Sequence, residues 1–229
     1  MLHQRRVLAI VAGRGGSKGL PGKNVASCGG RPLVEWSVAA ARASRHVDRV
    51  IVTTDDDAIR AAAVAAGAEA PFVRPPELAS DSAKMDAVVL HALDAVGGGF
   101  EIGVLLQATS PLRTGADIDG ALALMDRLGR SSVVAVTEPG KSPYWMYTLA
   151  DGDRLVPLFP DLPTGLQRQA LPKAYVPNGA VYGFDVAWFR EQRMFVGPET
   201  AAYVMAPERS VDVDGPLDLL VADALLSRR

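Results

Sequence analysis

Cysteine is nearly absent. Cys28 stands alone in 229 residues, so no internal disulfide can form. That usage fits a reducing cytoplasm. With no histidine beside it in sequence, Cys28 reads as a small buried or loop residue, not a nucleophile. Net charge is scarce too: 24 Lys and Arg against 26 Asp and Glu leave −2. This excludes a global electrostatic attraction to nucleic acid or to an anionic membrane, so neither is expected as a partner. Long apolar runs are missing as well. The basic start MLHQRR leads only into Val7 to Ala12, too short for a secretion signal or a membrane span. Histidine is sparse, and His3, His46 and His91 have no metal-ligand spacing. What remains is an ordinary globular composition, 48% apolar and 22% charged, long enough to bury a sizeable core.

The organisation is alternating. RVLAIVA (6–12), RVIVTTD (49–55) and IGVLLQ (102–107) read as buried strands, and SSVVAVT as another. Between them, PLVEWSVAAARAS (32–44), DAIRAAAVAAG, SDSAKMDAVVLHALDAVGG and ADIDGALALMDRL read as helices. PFVRP reads as a short strand, and Ser80, Asp81 or Ser82 as the cap of the helix that follows. This order predicts an α/β fold: a mostly parallel sheet flanked by helices on both faces. Ligands of such sheets gather in the loops beyond the carboxyl ends of the strands. From about residue 138 to 175 the chain becomes rich in proline and aromatics, with ADGD as a turn signal. That stretch reads as a protruding hairpin arm of a single domain spanning 1–229. Its apolar cluster, Tyr144 to Tyr147, predicts burial against a second copy in a symmetric homodimer.

Directly after the first strand comes VAGRGGSKGLPGKN (11–24), with five glycines, three cations and no acid. It is not a P-loop, because Gly22-Lys23 is followed by Asn24. It is not a dinucleotide fingerprint either, because Lys18 stands where the third glycine belongs. What remains is a strand-end loop whose glycines let backbone N–H groups approach an anion, ringed by Arg14, Lys18 and Lys23. That pattern suits a polyphosphate.

The loop Arg14-Gly15-Gly16-Ser17-Lys18-Gly19-Leu20-Pro21 with Lys23-Asn24 resembles the signature of the CMP-sialic acid synthetase family. The likeness continues in order through Thr53-Thr54-Asp55, RPPELASDSA (74–83), LLQATSPLR (105–113), RQALPKAYVPNGAVY (168–182) and VDVDGPLDL (211–219). It implies a Rossmann-like nucleotidyltransferase fold and a cytidylyltransferase joining CTP to an acidic acceptor, most simply a nonulosonic sugar acid, with release of pyrophosphate.

In the resemblance, Arg14, Lys18 and Lys23 surround the triphosphate as catalytic cations. Gly15, Gly16, Ser17, Asn24, Ser82 and Gln107 hold the nucleotide, with a base site near Arg74 to Ser82. Gln107, Arg113, Arg168, Lys173, Asn178 and Tyr182 face the acceptor. Asp55 reads either as a ligand contact at a strand end or as a helix cap. Asp212 and Asp214 are two apart, which on a strand turns both carboxylates to one face. Converging carboxylates call for a cation, and a hard ion such as Mg²⁺ takes one or two of them plus phosphate oxygens. A plainly solvated face is the alternative.

The resemblance departs on the acceptor side. Val176 stands where sialic-acid-activating members carry an arginine before Pro-Asn-Gly, and Trp145 stands in place of a lysine. A small phosphonate is therefore the alternative acceptor. A catalytically inactive nucleotide-binding regulator is the contrasting class, opposed by the intact Arg14, Lys18, Asp212 and Asp214.

Overall fold

The structure, a computed structural model, describes residues 2, 4–160 and 167–228. Six strands make one sheet in the order β10-β6-β9-β5-β1-β4. These are β1 (Val7–Ala12), β4 (Arg49–Thr53), β5 (Ile102–Gln107), β6 (Ser132–Thr137), β9 (Val176–Asp185) and β10 (Ala201–Val204). A small ribbon pairs β2 (Ser27–Cys28) with β3 (Arg31–Pro32), and a hairpin pairs β7 (Tyr147–Ala150) with β8 (Arg154–Pro157). The helices are α1 (Leu33–Ala43), α2 (Asp57–Ala65), α3 (Met85–Val96), α4 (Gly115–Arg127), α5 (Val186–Gln192) and α6 (Pro216–Leu226).

Strand β1 shows why the sheet is covered on both sides. Side chains alternate across a strand, and here Val7, Ala9 and Val11 join one core cluster while Leu8, Ile10 and Ala12 join another. Every residue of β1 is buried. A helix layer must therefore lie on each face, as the uninterrupted apolar run implies. Full burial of each large aliphatic chain contributes about 1.5–3 kcal/mol. Replacing Ile10 by alanine removes such a chain and leaves a cavity, a cost of about 2–5 kcal/mol.

Strands β4, β1 and β5 run parallel, and so do β6 and β10. β9 is inserted antiparallel between β5 and β6. The sheet is thus mixed and mostly parallel, and it brings the ends of β1, β4 and β5 side by side.

Three local expectations are corrected. PFVRP forms no strand: only Glu69 bridges to Ile51, and prolines at 71, 75 and 76 deny the ladder its donors. Helix α3 begins at Met85 with Lys84 as N-cap and no side-chain cap, so none of Ser80, Asp81 or Ser82 caps it. Asp212 and Asp214 lie on extended chain outside any strand, tied to the site by one backbone bond from Val213 to Thr109.

The hairpin of the arm forms at the ADGD turn, where Gly152 and Asp153 both take positive φ. Residues 161–166 of the expected arm lie outside the described residues.

Candidate active site

The loop after β1 is shaped by contacts from three directions. Asp55, at the end of β4, accepts from the Gly15 amide at 3.2 Å. The helix cap is its neighbour: Asp56 accepts from Ile59 at the start of α2. Asn24 is buried and donates to the Arg14 carbonyl at 2.8 Å, so it fixes the loop backbone. Gly22, with φ of 66°, opens the short turn that carries Lys23 and Asn24. Gly19 lies so close to the opposite wall that a Cβ there would be 2.6 Å from the Asp214 carbonyl oxygen.

These contacts leave a cavity of about 470 Å³. Arg14, Ser17, Lys18, Lys23 and Asn24 line one side, and Gln107, Thr109, Asp212 and Asp214 line the other. Apart from Thr109, these are residues expected at the site, and they reach one space from three chain segments. Gly15 shapes the loop through its amide, and Gly16 is exposed beside it. Ser82 sits on the exposed loop above, its hydroxyl 3.3 Å from that of Ser80.

The two carboxylates differ. Val213 is fully buried between them, and the extended chain turns both neighbours the other way, into the cavity. Asp214 is exposed and meets Lys23 at 3.0 Å. Asp212 is largely buried, and its Oδ1 has no hydrogen-bond partner among the described residues. Burial raises its carboxyl above the ordinary range, and the Asp214 charge adds to the rise. A hydrogen bond from Thr109 and the charges of Lys23 and Arg113 oppose it. Among the described residues no group of three or more His, Cys, Asp or Glu forms a metal cluster.

The residues expected to face the acceptor are placed differently. Arg113 does not line the cavity. It is buried, with its guanidinium bonded to the Ala180 carbonyl, the Ser37 hydroxyl and the Gln107 carbonyl. Burial pulls its pKa down to about 9, against the charges of Asp212 and Asp117. With those donors spent, Arg113 braces the end of β5, and the acceptor contact expected of it is replaced by a structural one. Asn178 is likewise buried, donating to Ser210 at 2.9 Å and accepting from the Ala180 amide. Tyr182 is half-buried with its ring edge on Phe195, and burial followed by the Asp212 charge raises its phenol. Lys173 lines a separate cavity of about 260 Å³ at the base of the arm, together with Glu138. Arg168 opens a short turn, Arg168–Ala170, on the same segment.

Two residues at the cavity, Arg74 and Asp81, fell within the stretch expected near the base but were given no role of their own there. Arg74 is buried and donates through Nε to the Thr53 hydroxyl at 3.1 Å and through Nη2 to the Thr53 carbonyl. Burial lowers it to about 10, partly offset by Asp55. A lone cation among prolines was the available signal. Asp81 bridges Arg14 and Lys18 at 2.6 and 2.5 Å, a contact that nothing in the local sequence announces.

A family model of the cytidylyltransferases matches residues 8–141, more than half of the chain. The chain belongs to the cytidylyltransferase family. It is 30% identical over 227 residues to the CMP-N,N'-diacetyllegionaminic acid synthase of Legionella pneumophila, covering 96% of each. It is 33% identical over 225 residues to the N-acylneuraminate cytidylyltransferase of Escherichia coli O18:K1:H7, of which it spans about half, 53%. Among solved structures, a CMP:2-keto-3-deoxy-manno-octonic acid synthetase complexed with CTP superposes with a TM-score of 0.70 at 18% identity. That match covers 97% of this cytidylyltransferase and 99% of the other chain, and it establishes the shared fold.

Proposed function

We propose that this cytidylyltransferase transfers CMP from CTP to an acidic acceptor, a nonulosonic sugar acid, and releases pyrophosphate. The observation that carries the reading is the cavity itself, which Arg14, Lys18 and Lys23 line together with Asp212 and Asp214. Its relatives of matching and of double length are named for legionaminic and neuraminic acids, which supports an acid of that class.

An acceptor hydroxyl attacks the α-phosphorus and gives up its proton to solvent. The new P–O bond forms as the bond to the β-phosphate oxygen breaks, and pyrophosphate leaves with that electron pair. No enzyme nucleophile is needed. Arg14, Lys18 and Lys23 hold the triphosphate and neutralise charge that grows on the leaving group, which lowers the barrier most where the site is already organised. Gln107 and Thr109 line the acceptor-side wall.

The donor set fits Mg²⁺: two hard carboxylates, one with an orphaned buried oxygen, beside a phosphate site. Asp212 and Asp214 would hold the ion, which supplies charge neutralisation at the transferring phosphoryl group.

The arm supports a homodimer. Leu149 and Leu155 on its hairpin are 71% and 61% exposed, with Trp145, Met146 and Tyr147 beside them. A monomer seldom leaves such a patch in water. Light scattering at micromolar concentration tests this, and a monomer overturns it. No helix among the described residues is long and apolar enough to cross a membrane.

The catalytic reading is tested by a screen of sugar acids and small phosphonates with CTP, reading pyrophosphate. Turnover with a nonulosonic acid is expected, with CTP preferred in competition. Equal turnover with ATP or UTP overturns it.

A further inference from the structure

Each cation of the phosphate loop is already paired inside the chain. Lys23 meets Asp214, and Arg14 and Lys18 both meet Asp81. The second pairing is the unusual one. Asp81 sits on the loop between Pro76–Leu78 and α3, and its carboxylate reaches into the cavity that Arg14 and Lys18 line. Its two oxygens are divided between the two cations. Hydrogen bonds from Lys18 and then Arg14 hold its carboxyl below the usual range.

The same loop has few other anchors to the phosphate loop. Arg14 also donates to the Ala79 carbonyl, at 3.3 Å. Ser80 spends its hydroxyl on Glu77 and Ser82 within its own loop, and α3 starts without a side-chain cap. The carboxylate therefore does two things: it satisfies two cations that face an anion site, and it draws the 79–84 loop down over that site.

We propose that Asp81 is an internal stand-in for phosphate, a latch that a polyphosphate must displace to bind. This rests on the nucleotide reading of the cavity. One carboxylate carries a single charge, whereas a triphosphate brings several charges and more acceptor oxygens to the same donors. The exchange is thus downhill for the polyphosphate and uphill for weaker anions. The latch lowers affinity for every anion by the cost of breaking its two ion pairs, and single-charged competitors are the ones it excludes. Binding also frees the 79–84 loop, so occupancy of the phosphate site is reported at the mouth of the cavity.

The test uses inorganic tripolyphosphate as the probe, with the full chain at low ionic strength. Asp81→Asn keeps the side chain's shape, and Asp81 is exposed enough for the fold to survive, which melting temperature checks. Calorimetric titration should show the variant binding tripolyphosphate roughly two- to tenfold tighter than the wild type, the range for losing two exposed ion pairs. Hydrogen exchange without any ligand should be faster at 79–84 in the variant and unchanged elsewhere. Equal or weaker binding by the variant overturns the latch, because Asp81 would then be organising the cations, not competing for them. Unchanged exchange at 79–84 overturns it as well. If the wild type fails to bind tripolyphosphate at all, the nucleotide reading falls and the latch with it; binding by the wild type without the two variant effects sinks the latch alone.

Discussion

Lys23 and Asp214, 191 positions apart in sequence, meet at 3.0 Å across the mouth of the cavity. The ammonium is nearly enclosed, with 13% of its side chain exposed, while the carboxylate is 79% exposed. The pair thus joins the loop after β1 to the chain entering α6, and it leaves Asp214 able to turn toward another cation.

Lys23→Met should lower kcat/KM for CTP by roughly a hundredfold, because the positive charge proposed to lie beside the leaving group is lost and Asp214 is left unneutralised. The loss should appear largely in KM for CTP, since the freed carboxylate repels the triphosphate in the ground state too. Melting temperature should fall by no more than about 2–4 °C, as pairs with one exposed partner contribute little. Steady-state kinetics and a melting curve check both.

Gly19→Ala should disturb the same junction by sterics alone. The new methyl would stand 2.6 Å from the Asp214 carbonyl oxygen, a backbone atom that cannot swing aside. The expected outcome is a lower melting temperature and at least a tenfold loss of turnover, by about 1–3 kcal/mol of strain. Gly16→Ala is the comparison for folding: nothing lies within 4 Å of its added methyl, so its melting temperature should match the wild type.

Acid stability should depend on Asp119, which sits under the turn after α1. Burial raises its carboxyl, but bonds from the Ser44 hydroxyl and from the Arg45 side chain and amide outweigh that, so the net shift is downward. A carboxyl depressed in the folded state stabilises above its unfolded pKa and loses that contribution as pH falls through the folded one. Asp119→Asn should therefore cost about 1–3 kcal/mol at neutral pH. The difference from wild type should shrink below about pH 4, near the ordinary carboxylate range. Urea melts across pH measure it.

How far the sequence foretold this depends on whether the cause was local. The strands of the parallel core were legible because VLAIVA and IGVLLQ are apolar without interruption, which only a two-sided burial explains. The antiparallel insertion of β9 was not, because a strand buried on both faces reads the same in either direction. Asp212 and Asp214 were legible as a pair from spacing alone: an extended chain suffices, and Val213 needs only one backbone bond to Thr109 to hold it. Arg113 was expected near the acceptor by resemblance, and the sequence could not show that its donors go to Gln107, Ser37 and Ala180. The Ser80-Asp81-Ser82 cap failed for a similar reason. A carboxylate that local rules assign to a helix start goes instead to two cations more than sixty residues upstream.

The acidic pair gives the sharpest test of mechanism, because its members should separate stability from activity. Asp212 carries a mostly buried carboxylate with an oxygen that finds no partner among the described residues, and an ionised group in that position costs folding energy unless a cation joins it. Asp212→Asn removes the charge and keeps the shape, so the unliganded variant should melt higher than the wild type. Asp214→Asn loses only an exposed pair and should melt within about 2–4 °C of it. Both should lose roughly a hundredfold or more in turnover if each supplies one hard ligand of the proposed Mg²⁺. Added Mg²⁺ should raise the melting temperature of the wild type in the presence of CTP and do so less in either variant, by mass action on the folded state. A structural pair gives the reverse pattern: lower melting temperatures and near-normal turnover in what remains folded. Wild-type turnover at low Mg²⁺ in both variants would remove the two carboxylates from the mechanism.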